Sequence, residues 1–143
     1  MNESPYSHQS GALPYRWKDS QLEVLVITSR RTGKWGIPKG NLEIGLDPAE
    51  SAQQEAWEEA GLTGTIDYEA IGTYTYTKYH RTYLVEVYPL HVQFVHDTWL
   101  EEEERSRQWM THSQACNAIQ NLLLREIVRS LPQYIQPYED GWP

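Results

Sequence analysis

The sequence reads as one α/β domain, and three observations carry that reading. A helix with a legible start, face and stop runs from Pro48 to about Ala60. Segments rich in strand formers lie on both sides of it, and a second apolar pattern at helical spacing runs from Thr111 to Leu131. Helices with one apolar face and strands that alternate with them need each other for burial. The 143 residues suit a single domain with a real core. Its bounds are taken as 11–131, with a flexible N-terminus (1–10) and an extended, proline-containing tail (132–143).

In chain order, Gly11 to Trp17 reads as the first strand and Lys18-Asp19-Ser20 as a turn. Leu22 to Thr28 (LEVLVIT) is nearly continuous in apolar residues, which suits a central strand buried on both faces. Ser29 to Lys34 is a polar turn leading to Trp35-Gly36-Ile37-Pro38-Lys39-Gly40. Arg30, Arg31, Lys34 and Lys39 form a candidate patch for an anionic substrate, with Lys39 placed beside the glycine loop for phosphate contact.

The helix follows that loop. Asp47-Pro48-Ala49-Glu50 supplies an N-cap, a proline at the first position and an acidic third residue, and Gly61 can take the left-handed turn that stops the helix. Each residue advances about 100°, so Glu55, Glu58 and Glu59 share one arc beside a stripe of Ala49, Ala52, Ala56 and Ala60. Like charges at this spacing repel, and they lie in the half of the helix where its dipole disfavours anions. A solvated acidic face is one account of them. A hard divalent cation such as Mg2+, which takes oxygen ligands, is the other.

Beyond the helix, Thr63 to Asp67, Ala70 to Thr77 and Thr82 to Val92 read as strands, the last two joined by the turn Lys78-Tyr79-His80-Arg81. An acidic loop, Glu101 to Glu104, precedes a short strand from Arg107 to Met110. Thr111-His112-Ser113-Gln114 then caps a helix with a break near Asn121. The net charge of −8 argues against a nucleic-acid binder, and one cysteine, Cys116, excludes an intrachain disulfide. No apolar run approaches the roughly 20 residues that span a bilayer, and the cytoplasm is the expected compartment.

From Gly40 through Glu55, Ala56, Glu58, Glu59 and Gly61 to Leu62, the chain resembles the signature of the Nudix hydrolases. Leu46 stands where that family has a glutamate, and Gln54 where it has an arginine. Segments 11–16, 80–83 and 107–110 are similar to the subfamily that cleaves diphosphoinositol polyphosphates and diadenosine polyphosphates. The resemblance implies an α/β/α sandwich with a mixed sheet, an architecture that the element order accommodates without selecting. It implies a pyrophosphohydrolase in which Gly40, Glu55, Glu58 and Glu59 hold Mg2+ or Mn2+. The three glutamates are the catalytic set, and Lys39, Arg30, His80 and Arg81 meet the phosphates of a small-molecule polyphosphate. A glutamate among Glu101–Glu104 is a further candidate ligand. Two alternatives stand beside it: a Nudix-fold sensor without turnover, motivated by Leu46 and Gln54, and an RNA pyrophosphohydrolase.

Overall fold

The computed structural model describes residues 5–136. Its strands are β1 (Tyr6–Lys18), β2 (Gln21–Thr28), β3 (Trp35–Gly36), β4 (Lys39–Asn41), β5 (Leu62–Ile66), β6 (Gly72–Lys78), β7 (Arg81–Val95) and β8 (Arg107–Thr111). They form one mixed sheet in the order β3-β2-β1-β7-β5, to which β4 adds on β1, β6 on β7 and β8 on β2. Helix α1 (Pro48–Ala60) covers one face. Helices α2 (His112–Ala118) and α3 (Leu122–Ser130) cover the other, completing an α/β/α sandwich.

Burial explains the layering. In β2, Val24 and Val26 enter the core under α2 and α3, while Leu25 and Ile27 enter the core under α1. A strand apolar at every position is satisfied only between two helical layers. Helix α1 has the bounds that its caps dictate, with reciprocal Asp47 and Glu50 bonds at its start and Gly61 at φ 68° at its end. The break near Asn121 also has a local cause. The Asn121 side chain accepts from the Leu124 N–H and donates to the Thr75 carbonyl, so it caps α3 and ties that helix to β6.

Both termini differ from the sequence expectation. Strand β1 starts at Tyr6, and Tyr6 to Ser10 pair in parallel with Thr82 to Glu86 of β7. Residues 6–10, read as flexible, are held by a strand that lies more than 70 positions away in the chain. At the other end, Leu131–Gln133 form a 3-10 turn and Ile135 packs on the core, so the tail does not begin as extended chain. The rest of the tail, 137–143, lies outside the described residues. Among the described residues no helix is long and apolar enough to cross a membrane.

Two hairpins turn without glycine. Asp19 and Ser20 have φ of 51° and 68°, and Tyr79 and His80 have 51° and 64°. Left-handed backbone at both central positions marks the tight turn that suits strand twist, and it disfavours side chains. Ser20→Gly is therefore expected to stabilise the protein by about 1 kcal/mol. Thermal denaturation checks this as a rise of a few degrees, and a fall would show that the Ser20 side chain supports the turn.

Candidate active site

The site is built where α1 meets β4. Ala49, Ala52, Ala56 and Ala60 are buried against Ala12, Leu25, Leu62 and Leu90, and such small side chains let the helix lie close on the sheet. At Gly40 the approach is so close that an added Cβ would lie 2.3 Å from Glu55 Cδ and 2.5 Å from both carboxylate oxygens. Only glycine leaves room for that carboxylate.

Glu55 and Glu59 lie one turn apart on α1, and each carboxyl is held above the usual carboxylate range. Glu59 is 6% exposed. It accepts the Lys39 N–H at 3.3 Å and lies 3.6 Å from the Arg105 guanidinium. Burial pushes its pKa up to about 8, outweighing the opposing pull of Arg105. Burial also raises Glu55, with the charges of Glu58, Glu43 and Glu101 adding to the effect. Lys39 is lowered, chiefly by burial, and its ammonium lies 4.5 Å from the centre of the Tyr76 ring.

Glu58, the third expected ligand, lies near enough for its charge to raise Glu55. Gln54, one turn earlier, donates its amide N–H to Glu58 at 2.7 Å. Among the described residues no three Asp, Glu, His or Cys side chains converge on a metal-sized point. Glu55 and Glu59 nevertheless fit a hard cation. They are oxygen donors beside the Gly40 loop, both raised above the ordinary carboxylate range, and a cation there would relieve both. Leu46 and Gln54 line one shallow depression on the outer side of α1, together with Glu50 and Trp57. Leu46 stays 39% exposed there.

Beside the pair opens a cleft of about 740 Å3. Arg30, Arg31, Lys34, Lys39, Lys78 and Arg105 line it, with Trp35, Tyr74, Tyr76 and Tyr79 as aromatic wall, and its lining contains no Asp or Glu. In a chain of net charge −8, half of the twelve Lys and Arg residues face this one opening. The sequence patch of Arg30, Arg31, Lys34 and Lys39 is thus assembled. His80 and Arg81 are not brought into the cleft lining. His80 is a central residue of the tight turn, and the Arg81 Nε donates to Ser7 on β1. Their neighbours Lys78 and Tyr79 line the cleft in their place.

Arg105 is the residue that sequence reasoning passed over. Its Nε donates to Glu101 at 2.9 Å and its Nη1 to the Thr28 carbonyl at 3.1 Å, while Nη2 faces Glu59. Of the four loop glutamates, Glu101 is tied most closely to the site, because its N–H also donates to the Glu58 carbonyl. Arg30 pairs with Glu104 at 3.0 Å and lies 4.0 Å from Glu101. In the sequence Arg105 is only one cation after an acidic run, and nothing local marks it.

The Glu59 proton has a consequence for stability. The folded protein binds it more tightly than the unfolded chain, in which a glutamate titrates near 4.5. Its contribution is therefore full below that value and is lost as pH rises through about 8. Glu59→Gln keeps a neutral hydrogen-bonding side chain, so cation-free protein with this change should unfold no more easily at pH 8 than the parent. Its stability should also decline less between pH 5 and 8. Urea denaturation across that range measures both; a marked loss at neutral pH would show that the Glu59 charge is a structural partner of Arg105.

The comparisons with known proteins agree with this geometry. A family model for the NUDIX domain matches residues 11–131. Nudix hydrolase 21, chloroplastic, of Arabidopsis thaliana is 34% identical over 135 residues, covering 90% of this chain and 68% of that protein. Diphosphoinositol polyphosphate phosphohydrolase 2 of Mus musculus is 28% identical over 118 residues, covering 80% and 64%. Among solved structures, a Caenorhabditis elegans Ap4A hydrolase shares the fold with a TM-score of 0.72 at 21% identity, over 92% of this chain and 99% of that one. A capped helix whose glutamates press on a glycine loop beside a basic cleft, matched over this length, settles the classification: the chain belongs to the Nudix hydrolase family.

Proposed function

We propose that the protein hydrolyses a phosphoanhydride bond in a nucleoside or organic polyphosphate of the diadenosine polyphosphate or diphosphoinositol polyphosphate type, with Mg2+ or Mn2+. One observation carries the reading: Lys39 and Arg105 belong both to the carboxylate pair and to the cationic cleft. A polyanion drawn into the cleft is thereby led to the carboxylates. The names of the Mus musculus relative and of the Caenorhabditis elegans neighbour support the choice of substrate class. The cytoplasm stays part of the proposal, and imaging of the tagged chain tests it against the chloroplast named for the plant relative.

Glu55 and Glu59, with the Gly40 carbonyl and Glu58, would hold the divalent cation. Such a cation supplies positive charge to phosphate oxygens and acidifies a water. The chain's own residues do the rest. Arg30, Arg31, Lys34, Lys39 and Lys78 neutralise the phosphates from the cleft walls, and the Arg forks can grip two oxygens at once. Phosphoryl chemistry then depends mainly on position and electrostatics, which a half-enclosed cationic cleft provides. Glu55, already raised by burial, accepts the proton of the attacking water.

The test presents diadenosine polyphosphates, diphosphoinositols, nucleotide sugars and nucleoside triphosphates with Mg2+ or Mn2+ and reads phosphate-bearing products. Turnover of the long polyphosphates, abolished in Glu59→Gln, is the expected result. Lys78→Ala should raise KM for long chains more than for a nucleoside diphosphate derivative, and more than Arg81→Ala does. Equal effects of the two variants would return Arg81 to the chain-reading role implied by the family resemblance. Gln54, a neutral donor to Glu58, favours a second reading, a sensor domain. Tight binding of these ligands without turnover would select it.

A further inference from the structure

Ser10 lies within β1, fully buried, and its hydroxyl has no hydrogen-bond partner among the described residues. A buried hydroxyl left unpaired works against folding, so its presence calls for a reason. Its direction follows from the strand. A Cβ on neighbouring Gly11 would point at Ile37 and Val85, in the core under α2 and α3. Side chains alternate along a strand, so Ser10 points the other way, toward α1, as does Ala12 in the core under that helix.

Ser10 is also the registered partner of Gly40 across β1 and β4. Paired residues of an antiparallel ladder project from the same face, with Cβ positions about 5 Å apart. The Cβ direction at Gly40 is the one occupied by the Glu55 carboxylate, whose Cδ lies 2.3 Å from that point. The Ser10 hydroxyl and the Glu55 carboxylate therefore share one layer between sheet and helix. On its other side Ser10 pairs with Glu86 of β7.

We propose that Ser10 is a positioning residue for Glu55, its hydroxyl donating the hydrogen bond that steadies the carboxylate once Glu55 meets a divalent cation. The proposal rests on the metal-dependent reading given above. In the cation-free protein the hydroxyl has no hydrogen-bond partner among the described residues. Ser10 thus exchanges some stability of the resting protein for order in the loaded site.

The experiment is Ser10→Ala, with Glu86→Gln beside it, read by thermal denaturation without metal, by Mn2+ calorimetry on substrate-free protein, and by kcat and KM. Ser10→Ala is expected to melt at or above the parent temperature, to bind Mn2+ several-fold more weakly and to lose about tenfold in kcat with KM unchanged. Wild-type Mn2+ affinity and kcat in that variant would overturn the proposal, as would a lowered melting temperature with unchanged Mn2+ affinity. An equal loss in Glu86→Gln would transfer the role to Glu86 and overturn it as well. A parent protein that binds no Mn2+ would remove the metal-dependent reading itself, an outcome distinct from parent-like behaviour of Ser10→Ala.

Discussion

The close approach of α1 to the sheet at Gly40 is the constraint on which the rest depends. It requires four alanines on one helical stripe, a glycine on the facing strand and a capped helix of fixed length. A larger residue on that stripe would lift the helix, and a side chain at position 40 would displace Glu55 outright. With the approach in place, Glu59 is buried and Glu55 half-buried against Gly40, and for Glu59 burial outweighs the nearby Arg105 and Lys39 in raising its pKa. Packing of the smallest side chains thus sets the protonation of a buried carboxyl.

Charge is sorted by the same architecture. An acidic chain would repel a polyphosphate, yet its cations are gathered on the walls of one cleft. The acidic loop contributes by holding cations rather than by facing the opening. Glu101 and Glu104 engage Arg105 and Arg30, which orients two guanidinium groups at the cleft wall and joins the loop at residues 101–105 to the loop after β2. Exposed pairs of this kind add little to stability, and Arg30 with Glu104 is such a pair. The Arg105 contacts are nearly buried, so that residue couples the acidic loop to Glu59 more firmly.

Local chemistry made part of this legible in advance. The bounds of α1, the Asn121 break and the two-sided burial of β2 follow from caps and apolar patterns within a few residues, and the structure has them where those signals lie. Nonlocal pairing was not legible. Tyr6 to Ser10 carry no strong strand pattern, and only the parallel partner Thr82–Glu86 makes them a strand. Cleft membership is nonlocal too: Lys78 and Tyr79 line it, whereas Arg81 donates to Ser7 of β1. The helical arc held Glu55, Glu58 and Glu59 together, but it could not show that Gln54 would donate to Glu58.

The helix presents its carboxylates near its C-terminal end, where backbone carbonyls already concentrate negative charge. The fold answers this at the backbone. The Glu101 N–H donates to the Glu58 carbonyl, the His96 N–H to the Gly61 carbonyl, and Arg107 to both the Ala60 and His96 carbonyls, at 2.6 and 2.7 Å. The Arg107 guanidinium lies 3.7 Å from the centre of the Trp99 ring, which holds it at the helix end. Burial lowers its pKa, but a guanidinium starts so high that it stays charged, and its cation faces the negative pole. The segment from His96 to Arg107 is therefore a C-terminal cap for α1, and through Arg105 it also reaches the cleft. That dual use explains how acidic residues can sit at the unfavourable end of a helix without fraying it.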